Sequence, residues 1–123
     1  MYEKELISIR KDLHSHPEIG RQEYRTQKII IGLLNDLGCF TVKKCADTGV
    51  LAIIEGKKAK SDRCIGIRAD IDALGIEDLK DVEYKSQNNG ICHACGHDVH
   101  TTILLGVAKV LSHLQNEFSG YIK

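Results

Sequence analysis

The 123-residue chain has no tryptophan, a single proline (Pro17), a single methionine and no net charge, 17 Lys+Arg balancing 17 Asp+Glu. That balance removes the bulk attraction that draws a protein to nucleic acid or to an anionic membrane surface, so neither is expected as a partner. No apolar run approaches the roughly 18 residues that suggest a membrane span. The opening residues Met1-Tyr2-Glu3-Lys4-Glu5 lack the basic-then-apolar layout of a secretory signal, and a cytoplasmic location is the resulting expectation. Internal repeats, low-complexity tracts and Pro/Ser-rich linkers are also missing. What is present, 42% hydrophobic and 28% charged residues, describes a folded domain rather than a disordered one, with length for one sizeable core.

Five cysteines are present, at 39, 45, 64, 92 and 95. An odd number in a chain of this length argues against a disulfide scaffold and for free thiols, of which a clustered subset can bind metal or do redox chemistry. Cys39 and Cys64 lie beside apolar residues and are expected to be buried small hydrophobes. Cys45 sits in a polar stretch and is given no role.

The apolar periodicity predicts a helix over about 3–14, broken by His16-Pro17, and a second over about 22–37, ended by Gly38. The period then shortens. Strands are expected at 39–44, at 49–55 and at 63–71, with Lys57–Asp62 as a hairpin connection between the last two. Residues 73–92 read as irregular, with Asn88-Asn89-Gly90 as a turn. A last helix is expected over about 98–115, with Asp98 as its N-cap and Ile103, Leu104, Val107, Val110, Leu111 and Leu114 as its buried face. Residues 120–123 resemble the start of a further strand. Helices, then strands, then a helix leading to a strand suggest an α/β sandwich with a mixed sheet, in which ligands bind at the carboxyl ends of strands. Asp70, Asp72 and residues 92–100 are expected at that end.

The densest chemistry is Cys92-His93-Ala94-Cys95-Gly96-His97-Asp98-Val99-His100, in which seven of nine residues are Cys, His, Asp or Gly. One buried His or Cys is usually structural, but three His and two Cys in nine residues have no packing rationale. Thiolate and imidazole are the usual ligands of zinc and its borderline neighbours. Cys95 and His97, two apart on a turning segment, can reach one ion, and Gly96 between them permits a sharp backbone. Asp98 can also hold a ligand imidazole, and His93 can orient a ligand or meet substrate. His100, one turn past His97, reads as packed or supporting, and His113 as structural. A second cluster, Arg68-Ala69-Asp70-Ile71-Asp72-Ala73-Leu74, sets two carboxylates two apart at a strand end. They can bind metal, hold a metal-binding imidazole, or simply be solvated beside Arg68. His14-Ser15-His16-Pro17-Glu18 alone reads as a polar helix end.

Taken together, Leu13–Gly20 with Glu23 and Thr26, Asp47-Thr48-Gly49-Val50, Arg68–Leu74 and His93–Asp98 with His100-Thr101 resemble the N-terminal part of the metal-dependent amidohydrolases. These include hippurate hydrolase, N-acyl-L-amino-acid amidohydrolases and plant auxin-conjugate hydrolases. The resemblance implies a zinc-peptidase-type α/β catalytic domain interrupted by a smaller domain, often homo-oligomeric. It implies a centre of two divalent ions (zinc or manganese) and hydrolysis of the amide of an N-acyl amino acid or peptide. It makes Cys95 and His97 metal ligands, with Cys95 a candidate bridge, and Asp72 the aspartate that orients a ligand. Asp70 stands where related peptidases place a ligand histidine. Gly75 replaces the usual proline and Cys92 the usual methionine. The family's Gln-Pro-x-Glu-Glu motif, which carries its catalytic glutamate, is not found up to Lys123. The resemblance therefore implies an N-terminal part of a catalytic domain, residues 1–123, with no catalytic residue of its own and no activity alone.

Two other functions fit the same residues. Cys92-x-x-Cys95 at a helix start is a thiol-disulfide oxidoreductase pattern, although no tryptophan precedes it and no proline follows it. A Cys95/His97 site can also bind structural zinc in a non-catalytic module.

Overall fold

The first two helices form much as their periodicity dictates. In a computed structural model, which describes residues 2–123, α1 spans Glu3–Ser15 and α2 spans Tyr24–Asp36. Glu3 and Glu5 occupy the first turn of α1, where the helix dipole favours negative charge. The His16 N–H closes the helix on the carbonyls of Asp12 and Leu13, and Pro17, which cannot continue a helix, follows. The Glu18 carboxylate then accepts the N–H groups of Arg25 and Thr26 at 3.0 and 2.8 Å, satisfying two of the donors that the start of α2 leaves open.

Strands β1 (Thr41–Cys45) and β2 (Gly49–Glu55) form an antiparallel hairpin, with Cys45 opposite Gly49. Ala46 and Asp47 turn the chain with left-handed φ of 46° and 64°. The Gln27 amide ties that turn down by donating to the carbonyls of Asp47 and Gly49. The sheet is mixed, in the order β1-β2-β4-β3, where β3 is Cys64–Ile65 and β4 is Tyr121–Ile122. β4 runs antiparallel to β2 and parallel to β3. Lys57–Asp62 is therefore not a hairpin connection, because β4, arriving from far along the chain, separates β2 from β3. The expected strand over 63–71 contracts to two residues. Alternation records which way side chains point, but a ladder also needs a partner backbone, and β4 offers only two paired residues. Ile65 and Ile67 are accordingly exposed.

The last helix, α3, spans His97–His113. Its expected buried face packs only in part: Leu104, Val107 and Leu111 are half-buried, but Ile103 is 58% exposed, and Val110 and Leu114 are exposed as well, while Thr101, Thr102 and Ala108 are buried. Apolar residues lie all round this helix, so periodicity alone does not single out a side. The two threonines turn inward because their hydroxyls have partners, Thr101 donating to the Asp70 carbonyl and Thr102 to the Asp98 carbonyl.

Where the length suggests one core, the chain forms two compact units, the residues up to Thr26 with Ala69–Ile103, and Gln27–Arg68 with Leu104–Lys123. The second holds the sheet and buries Ile30, Leu34, Ile54 and Ala108. The first has little buried hydrocarbon, chiefly Leu13, Ala73 and Cys92, and many buried polar side chains. Cys39 is only half-buried, enough for burial to push its thiol up, and Cys64 is exposed, so neither is the core residue expected. Among the described residues no helix is long and apolar enough to cross a membrane.

Candidate metal centre

The chemistry-bearing residues of the two clusters fall in the first unit, on irregular backbone and in the first turn of α3 rather than at a strand end. That backbone is pinned at three points. Ala73 donates to the Glu18 carbonyl at 2.8 Å, and Leu74 and Cys92 exchange two N–H···O bonds of 3.0 Å each, so the long segment between them closes on itself. The clasp brings Asp72 to the start of α3. The His97 Nδ1–H donates to Asp72 Oδ1 at 2.9 Å and to the Asp72 carbonyl at 3.0 Å. This arrangement fixes the tautomer that leaves Nε2 as a lone-pair donor, the form a metal-binding imidazole takes.

Gly96, with φ of +80°, makes the bend between Cys95 and His97. Its carbonyl accepts from Val99 and His100, both at 3.0 Å, and so begins the helix. Asp98 is thus not the N-cap: it is the second residue of α3, and its carboxylate points elsewhere. Cys95 is exposed. Asp70 is exposed too, and its carbonyl holds Thr101. His100 is exposed, its ring 5.9 Å from that of His97. His113 lies exposed in the last turn of α3. Among the described residues no three or more His, Cys, Asp or Glu side chains surround one ion position. Two donors of suitable chemistry are present, a partial fit to a metal site.

Beneath this segment lies a buried polar cluster. Asp98 Oδ2 accepts from His14 Nδ1 at 2.6 Å and faces Arg10 Nε at 3.0 Å, an ion pair without hydrogen-bond alignment. The other His14 nitrogen lies 3.4 Å from Asp78 Oδ2. His93 is buried with neither ring nitrogen bonded, and burial, opposed by the Asp98 charge, pushes it below the ordinary imidazole value and keeps it neutral. Sequence reasoning reads His14 as a helix end and passes over Arg10 and Asp78. Asp78 sits among Glu77, Leu79 and Lys80, a stretch that carries no periodic signal.

The dithiol pattern has a different geometry from the one its spacing suggests. Both cysteines precede α3, Cys92 is buried and locked to Leu74, and Cys95 is exposed. A thiol attacking from the first cysteine would first have to become exposed.

Comparison with known proteins gives one consistent set of relatives. The model for the peptidase family M20/M25/M40 matches residues 66–123. An N-acyl-L-amino acid amidohydrolase of Geobacillus stearothermophilus is 39% identical over 97% of this chain and 32% of its own length. The hippurate hydrolase of Campylobacter jejuni is 41% identical over 88% of this chain and 28% of its own. The crystal structure of the Bacillus subtilis YXEP protein, described as a dinuclear metal-binding peptidase of the M20 family, superposes with a TM-score of 0.92 at 37% identity, covering 98% of this chain and 33% of that one. The chain spans about a third of the length of the relatives it matches. Over that third, the chain is similar in sequence and in fold to the peptidase family M20/M25/M40, whose model matches its residues 66–123.

Proposed function

We propose that this chain supplies part of a two-metal centre that hydrolyses the amide bond of N-acyl amino acids or small peptides. Cys95 and His97 are the residues of this chain that would hold the metal. The observation that carries the reading is the 2.9 Å bond from His97 Nδ1 to Asp72, which turns the other ring nitrogen into a donor two residues from an exposed thiol. The names of the Geobacillus and Campylobacter relatives support the substrate class, and the dinuclear metal binding of the YXEP protein supports two ions. When bound, zinc or manganese would supply Lewis acidity toward the scissile carbonyl.

This chain's own residues do the positioning. Asp72 sets the His97 ring, Gly96 sets the bend, and His93, neutral and buried, backs the segment. No general acid or base is assigned in residues 1–123. Catalytic zinc needs about three protein ligands, and among the described residues no three His, Cys, Asp or Glu side chains surround one ion position, so the 123-residue chain is expected to bind metal weakly and not to turn over.

The experiment is a Co²⁺ titration followed by optical absorption, with a parallel assay of hippurate hydrolysis under Zn²⁺ and Mn²⁺. A thiolate-to-cobalt band that Cys95→Ser abolishes, with no hydrolysis, is the expected result. Absence of the band removes the metal reading. Turnover by the chain alone overturns the inactivity, and collapse of the fold with chelator favours the structural-zinc alternative.

A further inference from the structure

The donor segment runs directly into α3, and the first turn of α3 is held from outside the helix. Asp98 is fully buried, and neither of its oxygens caps α3. Oδ2 is taken by His14 at 2.6 Å and faced by Arg10 at 3.0 Å, two side chains one turn apart on α1. His14 is 1% exposed, so this bond is out of reach of water. Its other ring nitrogen faces Asp78 at 3.4 Å, and Asp78 is in turn fixed by the N–H groups of Lys80 and Ser86 at 3.2 and 3.0 Å. Tyr84 closes the pocket, meeting the His14 ring edge-on at 5.6 Å, with the Arg10 guanidinium 4.8 Å above its own ring.

Asp78, His14 and Asp98 thus form a line through three distant parts of the sequence, ending one residue from His97. Adjacent Cα atoms are fixed about 3.8 Å apart, so whatever anchors Asp98 also restricts where His97 can stand. On the other side Asp72 restrains the same ring. The hinge left between these restraints and Cys95 is Gly96, the residue least able to hold a conformation by itself.

We infer that His14 is a positioning residue for the Cys95–His97 pair: through Asp98 it fixes the start of α3, and with it the direction of the His97 ring relative to the Cys95 thiol. The inference rests on the reading of those two residues as metal donors. It assigns a task to a helix-end histidine that touches neither ion nor substrate.

Two readouts on the 123-residue chain separate the possibilities, one without metal and one with it. Asparagine can place an N–H where His14 Nδ1–H stands, because both nitrogens are two bonds from Cβ; glutamine, one methylene longer, cannot, and phenylalanine has no donor. Long-range ¹H–¹⁵N spectra of the His97 ring report its tautomer in the metal-free protein. A single Nδ1–H form is expected in wild type and His14→Asn, and a mixture in His14→Phe. Co²⁺ affinity is expected to fall at least about tenfold in His14→Phe, the loss typical of removing a ligand's support, and to return in His14→Asn. If His14→Phe does not fold, the comparison of His14→Asn with His14→Gln decides, the first keeping both readouts and the second losing them. A folded His14→Phe or His14→Gln with the wild-type His97 ring and wild-type Co²⁺ affinity overturns the inference. If the wild-type protein shows no cobalt band, the metal reading fails, and the ring spectra still judge His14.

Discussion

Asp78 and His97 show how differently a single carboxylate bond acts according to what surrounds it. At Asp78 the Ser86 N–H, reinforced by the backbone and ammonium of Lys80, outweighs burial and holds the carboxyl well below the usual carboxylate range. A carboxyl whose folded value is depressed is protonated first in the unfolded chain as pH falls. Its contribution to stability is therefore complete above about pH 3.9, the ordinary aspartate value, and is lost progressively below it. The urea midpoint is expected to drop as pH is lowered from about 5 to about 2.5, and Asp78→Asn is expected to lower the midpoint at neutral pH while flattening that slope. An unchanged slope in the variant would assign the acid sensitivity to other carboxylates. His97 uses its carboxylate partner for orientation: Asp72 selects one tautomer and leaves the lone pair on Nε2.

At the scale of elements, the glycines separate backbone requirement from mere tolerance. Gly120, just before β4, has φ of +83°, and a Cβ there would run into the Arg63 carbonyl that accepts the Tyr121 N–H. Gly120→Ala is expected to cost about 1–3 kcal/mol by straining the turn that feeds β4 between β2 and β3. Gly32, inside α2, has open space where a Cβ would go. Gly32→Ala is expected to stabilise by about 0.5–1 kcal/mol, the helix-propensity difference. Chemical denaturation of the two variants checks both signs. Either sign reversed would show that the crossing of β4, or the free face of α2, is wrongly placed. The contraction of β3 belongs to this scale too, since a strand extends only as far as its partner.

For the whole molecule, the distribution of buried hydrocarbon decides where stability resides. Ile54 on β2 is completely buried in the unit that carries the sheet, whereas Ile103 on α3, equally apolar, is 58% exposed. Ile54→Ala is expected to cost about 2–5 kcal/mol, and Ile103→Ala to change stability by no more than about 0.5 kcal/mol, both read from urea midpoints. Equal losses at the two positions would mean that the periodicity of α3 was a better guide to burial than the fold itself. The unit that holds Cys95 and His97 relies instead on buried, hydrogen-bonded polar groups: His14, Asp78, Asp98, Thr101 and Thr102. Groups of this kind confer little stability when complete and cost much when one partner is removed. Polar substitutions there should therefore disturb local geometry more than hydrophobic trimming does.

By itself the sequence determined the elements whose causes are local. α1, α2 and the β1–β2 strands follow from periodicity, α1 is stopped by Pro17, and the metal-binding proposal for the Cys95-Gly96-His97 triplet comes from residue type and spacing. It also carried the resemblance to a metal-dependent hydrolase family, because that lies in short motifs. Only the tertiary structure decided the features that depend on partners distant in the chain. These are the insertion of β4 between β2 and β3, the face of α3 that packs, the release of Asp98 from capping, and its bond to His14 from 84 residues away. Periodicity and capping rules describe what a segment does with its neighbours in sequence. A buried hydrogen bond is fixed instead by which polar group the rest of the fold brings within about 3 Å, and nothing in the local pattern of either residue announces it.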